Sequence, residues 1–376
     1  MPALYVHIPF CRRKCPYCDF FSLAEHGEDL TAYPDLLSRH LELAPGQGWR
    51  GPFESVFFGG GTPSLLPPAA IGRILETAAR RFGITAGAEI SLEANPGTVT
   101  PDTLAGYRAA GVNRLSLGIQ SFSPASLRRL GRIHSPQQAR AAVAWARQAG
   151  FANLSCDLMF ATPGQSRRRL LRDLDSLLQL DPAHVSCYGL AIEEDTPFQH
   201  QHAHGEFSLP GEETHADFFR LIHERLTDAG FRHYEISNYA RPGRECRHNL
   251  NYWQRGGYLG IGAGAHSFAD SGWGRRLAVP GDLPLYAQRL GEGRDPAEVL
   301  EGFERTGAMA ETLYLGLRTA AGVDEAAFRR RFGGGVAESF PAAVRHAGQH
   351  LQLTAGAWRF DLSGWLLYDH LISPFL

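Results

Sequence analysis

The sequence predicts an α/β fold: a partial (β/α)6 barrel of the TIM type, followed by a small C-terminal α/β domain of winged-helix character. Three observations predict it. Six strand-like runs alternate with helical patterns up to about Gly230, and such alternation argues for parallel β/α units because parallel neighbours need crossover connections. The chemically unusual residues fall at the C-terminal ends of those runs, where barrel active sites are built; this favours a barrel over a flat, doubly wound sheet. Beyond Gly230 the rhythm changes.

The strand-like runs are Tyr5–Ile8, Ser55–Phe58, Glu89–Glu93, Arg114–Ile119, Leu154–Met159 and Val185–Leu190. Apolar residues at helical spacing fill Leu30–Leu43, Ala69–Arg81, Pro101–Ala110, Pro136–Gln148, Arg167–Leu180 and Glu212–Ala229. Residues 234–285 are rich in glycine, aromatics and polar groups, with little periodic helix. The last segment reads as helices at Glu298–Gly307, Met309–Leu317, Asp324–Phe332 and Pro341–Gln349. A strand pair, Leu351–Leu353 and Trp358–Asp361, turns at Ala355-Gly356, and a final helix covers Gly364–Ile372. These breaks divide the chain into a barrel (1–233), an extension (234–294) and a C-terminal domain (295–376).

The 376 residues, 44% of them hydrophobic, can bury a large core. A formal net charge of −2 gives no electrostatic case for nucleic acid. Lys14 is the only lysine, so nearly all positive charge is arginine. No apolar run reaches the roughly 18 residues of a membrane span. Met1 to Phe10 has no leader pattern, and a cytoplasmic protein is expected, with contact at a membrane surface left open. Cys156 and Cys187 lie in apolar strand-like runs and read as inert core thiols, whereas Cys246 sits in a polar loop.

Cys11, Cys15 and Cys18 form C-x3-C-x2-C directly after the first strand. Three soft thiolates so spaced suit one face of a cubane iron–sulfur cluster, holding three irons and leaving a fourth open. The competing reading is zinc completed by His7 or Asp19, or three unrelated thiols. Zinc sites usually join two separated ligand pairs, and no second C-x2-C occurs here. Gly59-Gly60-Gly61-Thr62-Pro63 follows the second strand; glycines there let backbone approach a ligand, although alone the run reads as a tight turn. Glu93, Gln120, Arg132 and Asp157 offer acceptors, an amide and a planar fork at or near strand ends. Singly, each is more often a structural partner. His134, beside Arg132, reads as a hydrogen-bonded structural histidine, and His200, His202 and His204 as a solvated polar loop.

The run His7-Ile8-Pro9-Phe10-Cys11-Arg12-Arg13-Lys14-Cys15-Pro16-Tyr17-Cys18-Asp19-Phe20 resembles the cluster loop of radical SAM proteins, including the aromatic Tyr17 before the third cysteine. The resemblance spans almost the whole chain, and Gly59 to Pro63 resembles the family's motif for the amino group of S-adenosylmethionine. It implies a [4Fe–4S] cluster on Cys11, Cys15 and Cys18, with S-adenosylmethionine chelated at the open iron. In the family, electron transfer into the sulfonium gives a 5′-deoxyadenosyl radical. By the same resemblance Tyr5, Tyr17, Gly60, Gly61, Thr62, Glu93, Gln120, Arg132, Asp157 and Ala191 line the S-adenosylmethionine site, with Asp157 also able to position Arg132. Phe160-Ala161-Thr162-Pro163-Gly164-Gln165 departs from the family turn, which usually has glycine and leucine after the phenylalanine.

Within that superfamily the chain is similar to the group containing oxygen-independent coproporphyrinogen III dehydrogenase and its heme-chaperone relatives. His248-Asn249-Leu250-Asn251-Tyr252-Trp253 resembles the heme-binding H-N-x-x-Y-W motif of the chaperones. It implies His248 as ligand to heme iron, with Asn249, Tyr252 and Trp253 beside the porphyrin and Cys246 as an alternative ligand. The bland reading of the same run is an aromatic-rich loop with a hydrogen-bonded His248. Gly260 to Ser267 also matches the family and is expected to shape the floor of that region. The dehydrogenase ordinarily has a fourth cysteine two residues after the third, where Phe20 stands here, and an extension before the cluster loop. The expected function is therefore a heme chaperone passing heme to apoproteins, membrane-bound respiratory proteins among them. The dehydrogenase and another radical SAM transferase are the alternatives, and no catalytic residue is assigned.

Overall fold

The computed structural model describes residues 2–24 and 29–376. Its main sheet has twelve strands: β1 (Ala3–Ile8), β2 (Phe53–Gly60), β3 (Ile84–Ala94), β4 (Arg114–Gln120), β5 (Asn153–Phe160), β6 (His184–Gly189), β7 (Arg232–Glu235), β8 (Asn238–Ala240), β9 (Tyr258–Ile261), β10 (His266–Ala269), β11 (Arg275–Ala278) and β12 (Glu298–Gly302). The spatial order is β12-β11-β10-β9-β1-β2-β3-β4-β5-β6-β8-β7. Strands β1 to β6 pair in parallel with their sequence neighbours. With no reversal of strand order there is no topological switch point, so the partial barrel is the fold and the doubly wound sheet is excluded.

Side chains alternate across each strand. Leu4, Val6 and Ile8 of β1, Val56 and Phe58 of β2, Leu115, Leu117 and Ile119 of β4, and Leu154, Cys156 and Leu158 of β5 are buried in one hydrophobic core. The helices at Pro68–Phe82, Pro101–Ala109, Pro136–Gln148 and Arg167–Leu178 bring their own apolar stripes to it. Thr100, Ser135 and Ser166 cap three of these helices by accepting an amide bond at the first turn. Among the described residues no helix is long and apolar enough to cross a membrane.

Two expectations are corrected. Glu298–Gly302 is an edge strand paired antiparallel with β11, and the helix there begins only at Arg305. The Glu- and Leu-rich composition suggested helix, but the pairing available from β11 decides the conformation. Of the histidine run, His200 and His202 lie in a short helix, Pro197–Ala203, and His204 caps its C-terminal end, so the run is not a loop. That helix and another at Pro124–Arg129 each start with a hydroxyl cap and a proline, Thr196-Pro197 and Ser123-Pro124, a start signal readable in the sequence. The 234–285 stretch carries β7 to β11 and helices at Arg247–Trp253 and Leu283–Gly291. At the C-terminus β13 (Val323–Asp324), β14 (Leu351–Thr354) and β15 (Ala357–Phe360) form a three-stranded antiparallel sheet.

Strand β9 extends the parallel sheet beyond β1. The turn that follows needs Gly262: its φ is +101°, and a Cβ would meet His7 O and Tyr33 Oη at 2.6 Å. Gly262→Ala is expected to destabilise the protein by about 2 kcal/mol or more, through backbone strain and overpacking. A fall in melting temperature measured by circular dichroism checks this.

Candidate functional site

The faces of β1 to β6 that do not meet the core are polar. Tyr5, Phe57, Glu93, Arg114, Ser116, Gln120, Asp157, His184, Ser186 and Tyr188 surround a cavity of about 540 Å³. In an ordinary eight-stranded barrel this space is filled by branched apolar side chains. Here it is open and charged.

The cysteine loop lies across the mouth. Cys11, Cys15 and Cys18 are partly exposed, and all three line the cavity. Thr62 Oγ1 donates to Cys11 Sγ at 3.5 Å, and Arg132 Nη1 donates to Cys15 Sγ at 3.4 Å. Among the described residues no three His, Cys, Asp or Glu side chains converge as one metal ion would require. His7 is spent elsewhere, between Tyr5 Oη at 3.0 Å and Phe21 O at 3.0 Å. Three thiols on one loop, beside backbone without side chains, fit a cluster that gives each thiolate its own iron.

Behind the loop, Gly60 has φ +108°, and a Cβ there would strike the His7 ring at 2.7 Å. A Cβ on Gly61 would meet Phe10 O at 2.7 Å. Both positions therefore present bare backbone beside the cysteines. Gln120 ends β4 in the left-handed region, φ 66°, and its Oε1 is buried without a partner. Asp173 holds the segment beyond it, accepting from Ser121 Oγ at 2.7 Å and from the Phe122 amide at 2.8 Å. Arg132 Nη2 donates to Gly118 O at 2.8 Å, and its Nε is unpartnered. Asp157 accepts from Ser116 and Ser155; among the described residues it shares no hydrogen bond with Arg132, so the expected positioning contact is absent. Burial, helped by the Asp157 carboxylate, pushes Glu93 up to about 8, with the Gly60 amide opposing. Tyr17 and Ala191 also line the cavity. His134 bonds Ile119 O and Asn95, the structural role expected of it.

The other end of the cavity is closed by the Arg247–Trp253 helix. Its first turn is held by Glu89, which accepts from the Arg247 amide at 3.3 Å, the His248 amide at 3.2 Å and Cys246 Sγ at 3.6 Å. Cys246 is thus buried, and not in an open polar loop. His248, Asn249 and Tyr252 face the cavity. His248 Nδ1 pairs with Ser55 Oγ at 2.9 Å and Nε2 with Tyr252 Oη at 2.7 Å, while Phe57 stacks on the ring at 5.1 Å. Burial and the nearby Arg114 hold the imidazole neutral, down to about 3. Ser55 lies five residues before Gly60 on β2, so His248 sits roughly 16 Å along the strand from the glycine turn.

Trp253 departs from its expected place. It is about 140° around the helix from His248 at 3.6 residues per turn, and it does not line the cavity. Its ring lies under the Arg318 guanidinium at 4.7 Å, toward the C-terminal domain.

The chain matches known proteins in sequence and in fold. A model of the radical SAM superfamily matches residues 5–177, and one of the HemN C-terminal domain matches residues 304–367. Heme chaperone HemW of Escherichia coli K12 is 45% identical over 70% of this chain and 69% of its own length. HemW of Synechocystis is 40% identical over 85% and 79%, and that of Bacillus subtilis 32% over 92% and 90%. The chain belongs to the HemW family of radical SAM proteins. The solved structure of coproporphyrinogen III oxidase (HemN) from E. coli shares its fold, with a TM-score of 0.85, 22% identity, and coverage of 100% of this chain and 89% of that one. Membership of the radical SAM superfamily implies a [4Fe–4S] cluster and S-adenosylmethionine. The three cavity-lining thiols, the bare backbone at Gly60 and Gly61 and the orphaned Gln120 and Arg132 atoms fit both groups.

Glu93 gives a pH test. Its folded value of about 8 lies above the ordinary 4.5, so the folded state binds the extra proton between these limits. Stability contributed there is full below pH 4.5 and lost as pH rises through 8. The melting temperature of the native protein should therefore fall more between pH 5 and 8 than that of Glu93→Gln, measured side by side by calorimetry.

Proposed function

We propose that this protein is a heme chaperone that holds a [4Fe–4S] cluster, S-adenosylmethionine and heme, and transfers heme to apoproteins. One observation carries the reading: the three cysteines, the polar strand ends and the His248 face of the Arg247–Trp253 helix all open on one cavity. Cys11, Cys15 and Cys18 would hold the cluster. Tyr5, Tyr17, Gly60, Gly61, Thr62, Glu93, Gln120, Arg132, Asp157 and Ala191 would surround S-adenosylmethionine. When bound, this pair supplies one-electron chemistry.

The names of the HemW relatives support heme as the cargo. His248 is neutral and so suited to iron, with Asn249 and Tyr252 beside it. The Ser55 contact at Nδ1 would fix the tautomer while Nε2 exchanges the Tyr252 hydroxyl for iron. Trp253 would act from outside the cavity, by steadying the helix against Arg318. The recipients, membrane-bound respiratory proteins included, and any contact at a membrane surface belong to this proposal, as does the division into barrel, extension and C-terminal domain. Against the dehydrogenase reading stands Phe20, an exposed side chain where that enzyme carries its fourth cysteine.

After anaerobic reconstitution, heme titration should show tight binding to the native protein and a loss of about tenfold or more in His248→Ala. Tyr252→Phe, which frees Nε2, should bind heme at least as tightly as the native protein. Consumption of coproporphyrinogen III with reductant and S-adenosylmethionine should be absent; robust turnover would instead assign the dehydrogenase activity.

A further inference from the structure

Arg114 opens β4 at the base of the cavity and is only 2% exposed, yet beyond its charge acting on His248 it has no assigned partner. It lines the cavity, and its Nε has no hydrogen-bond partner. The Glu89 carboxylate stands 3.9 Å from Nε, too far to accept. Cys246, Glu89, Tyr234 and Asp157 act on the guanidinium through charge alone. A guanidinium taken out of water normally has its donors matched, because the loss of hydration is otherwise uncompensated.

The ionisable neighbours are engaged elsewhere. Glu89 accepts from the Arg247 and His248 amides and from Cys246. Asp157 accepts from Ser116 and Ser155. His184 is held between Ser155 Oγ and Tyr234 Oη, each at 2.8 Å. His248 is held between Ser55 and Tyr252. Glu93 faces the same space from the mouth side, carrying its proton near neutral pH. At this level Arg114 and the neighbouring Ser91 hydroxyl carry buried, unpartnered donors, and of the two only the guanidinium is charged.

We propose that Arg114 is a carboxylate-binding residue for the ligand that reaches His248, and that the group it receives is a propionate of the tetrapyrrole. This rests on the heme reading above. The planar fork of arginine matches a carboxylate with two parallel bonds. Arg114 begins the strand that Gln120 ends, roughly 20 Å away at the strand rise, so a carboxylate chelated at the mouth does not reach it. Glu89 lies 3.9 Å from Arg114 Nε and accepts from the His248 amide, and Arg114 and His248 line the same cavity, so one ligand there faces both.

The test titrates heme and iron protoporphyrin dimethyl ester, which lacks free carboxylates, into native, Arg114→Gln and Arg114→Lys protein, with melting temperature and cluster content measured on each. Native protein should prefer heme to the ester by about tenfold or more. Arg114→Gln should bind the two alike, and Arg114→Lys should keep part of the preference. If Arg114→Gln does not fold, Arg114→Lys and the native comparison decide. Equal binding of heme and ester by native protein, or an undiminished preference in either folded variant, overturns the assignment while leaving the heme reading intact. If native protein takes up neither compound, the heme reading fails and this assignment falls with it.

Discussion

The inward side chains of β1 to β6 are polar at nearly every level, and this constrains everything else in the barrel. Arg114 and Ser91 share one register, Glu93 and Ser116 the next, and Asp157 and Ser186 another. Such a lumen cannot be closed by the branched apolar layers of an ordinary barrel. Its groups must meet one another, water or a ligand, since a buried polar group without a partner costs more than a hydrogen bond returns. The sheet answers by staying open between β6 and β9, with β7, β8 and β10 to β12 as flanks. The outward residues alone hold it against the helices.

A lumen of this kind has two ends, and the chain uses them differently. The mouth is made of loops, where glycines without side chains and partly exposed thiols can approach a ligand. The base is made of strand starts and one short helix, and apart from Arg114 and Ser91 its polar side chains are firmly bonded: Glu89 to three donors, His184 to two partners, His248 to two. The mouth is built to accept groups, the base to define a position. Cys246, buried against Glu89 and raised to about 12, belongs to the rigid end and is a poor thiolate.

Legibility in the sequence followed these physics. The parallel β/α order was readable because crossover helices leave a strong 3.6-residue pattern, and the cysteine and glycine runs because their spacing is local. The open lumen left a signal too. Fully buried parallel strands usually read as continuous apolar runs, whereas Arg114-Leu115-Ser116-Leu117 and Leu154-Ser155-Cys156-Asp157 alternate strictly. Arg114, Glu89 and His184 were not legible as site residues, because they lie on three different strands and only the pairing of those strands turns them toward one another. Trp253 misled because a motif gives order along the chain and not the direction of a side chain. β12 misled because the partner that makes it a strand lies about twenty residues earlier.

The hydrogen bonds of His248 bear on what kind of ligand site this is. An imidazole whose Nε2 already receives a hydroxyl gains iron only by giving up that bond, so the net stabilisation is the difference between two satisfied states. On the heme reading, the Ser55 contact would stay in both and keep the ring oriented, lowering the cost of reorganisation. A resident prosthetic group would be served better by a ring with an empty coordination position. On the heme reading, a cargo that must leave would be served by a ring with a substitute at hand: once iron left, the Tyr252 hydroxyl, 2.7 Å from Nε2 in the structure, would return and leave no orphaned nitrogen in the lumen. On the proposed reading, the tyrosine of the H-N-x-x-Y-W run is therefore the group that makes heme release cheap, and the histidine alone is half of the device.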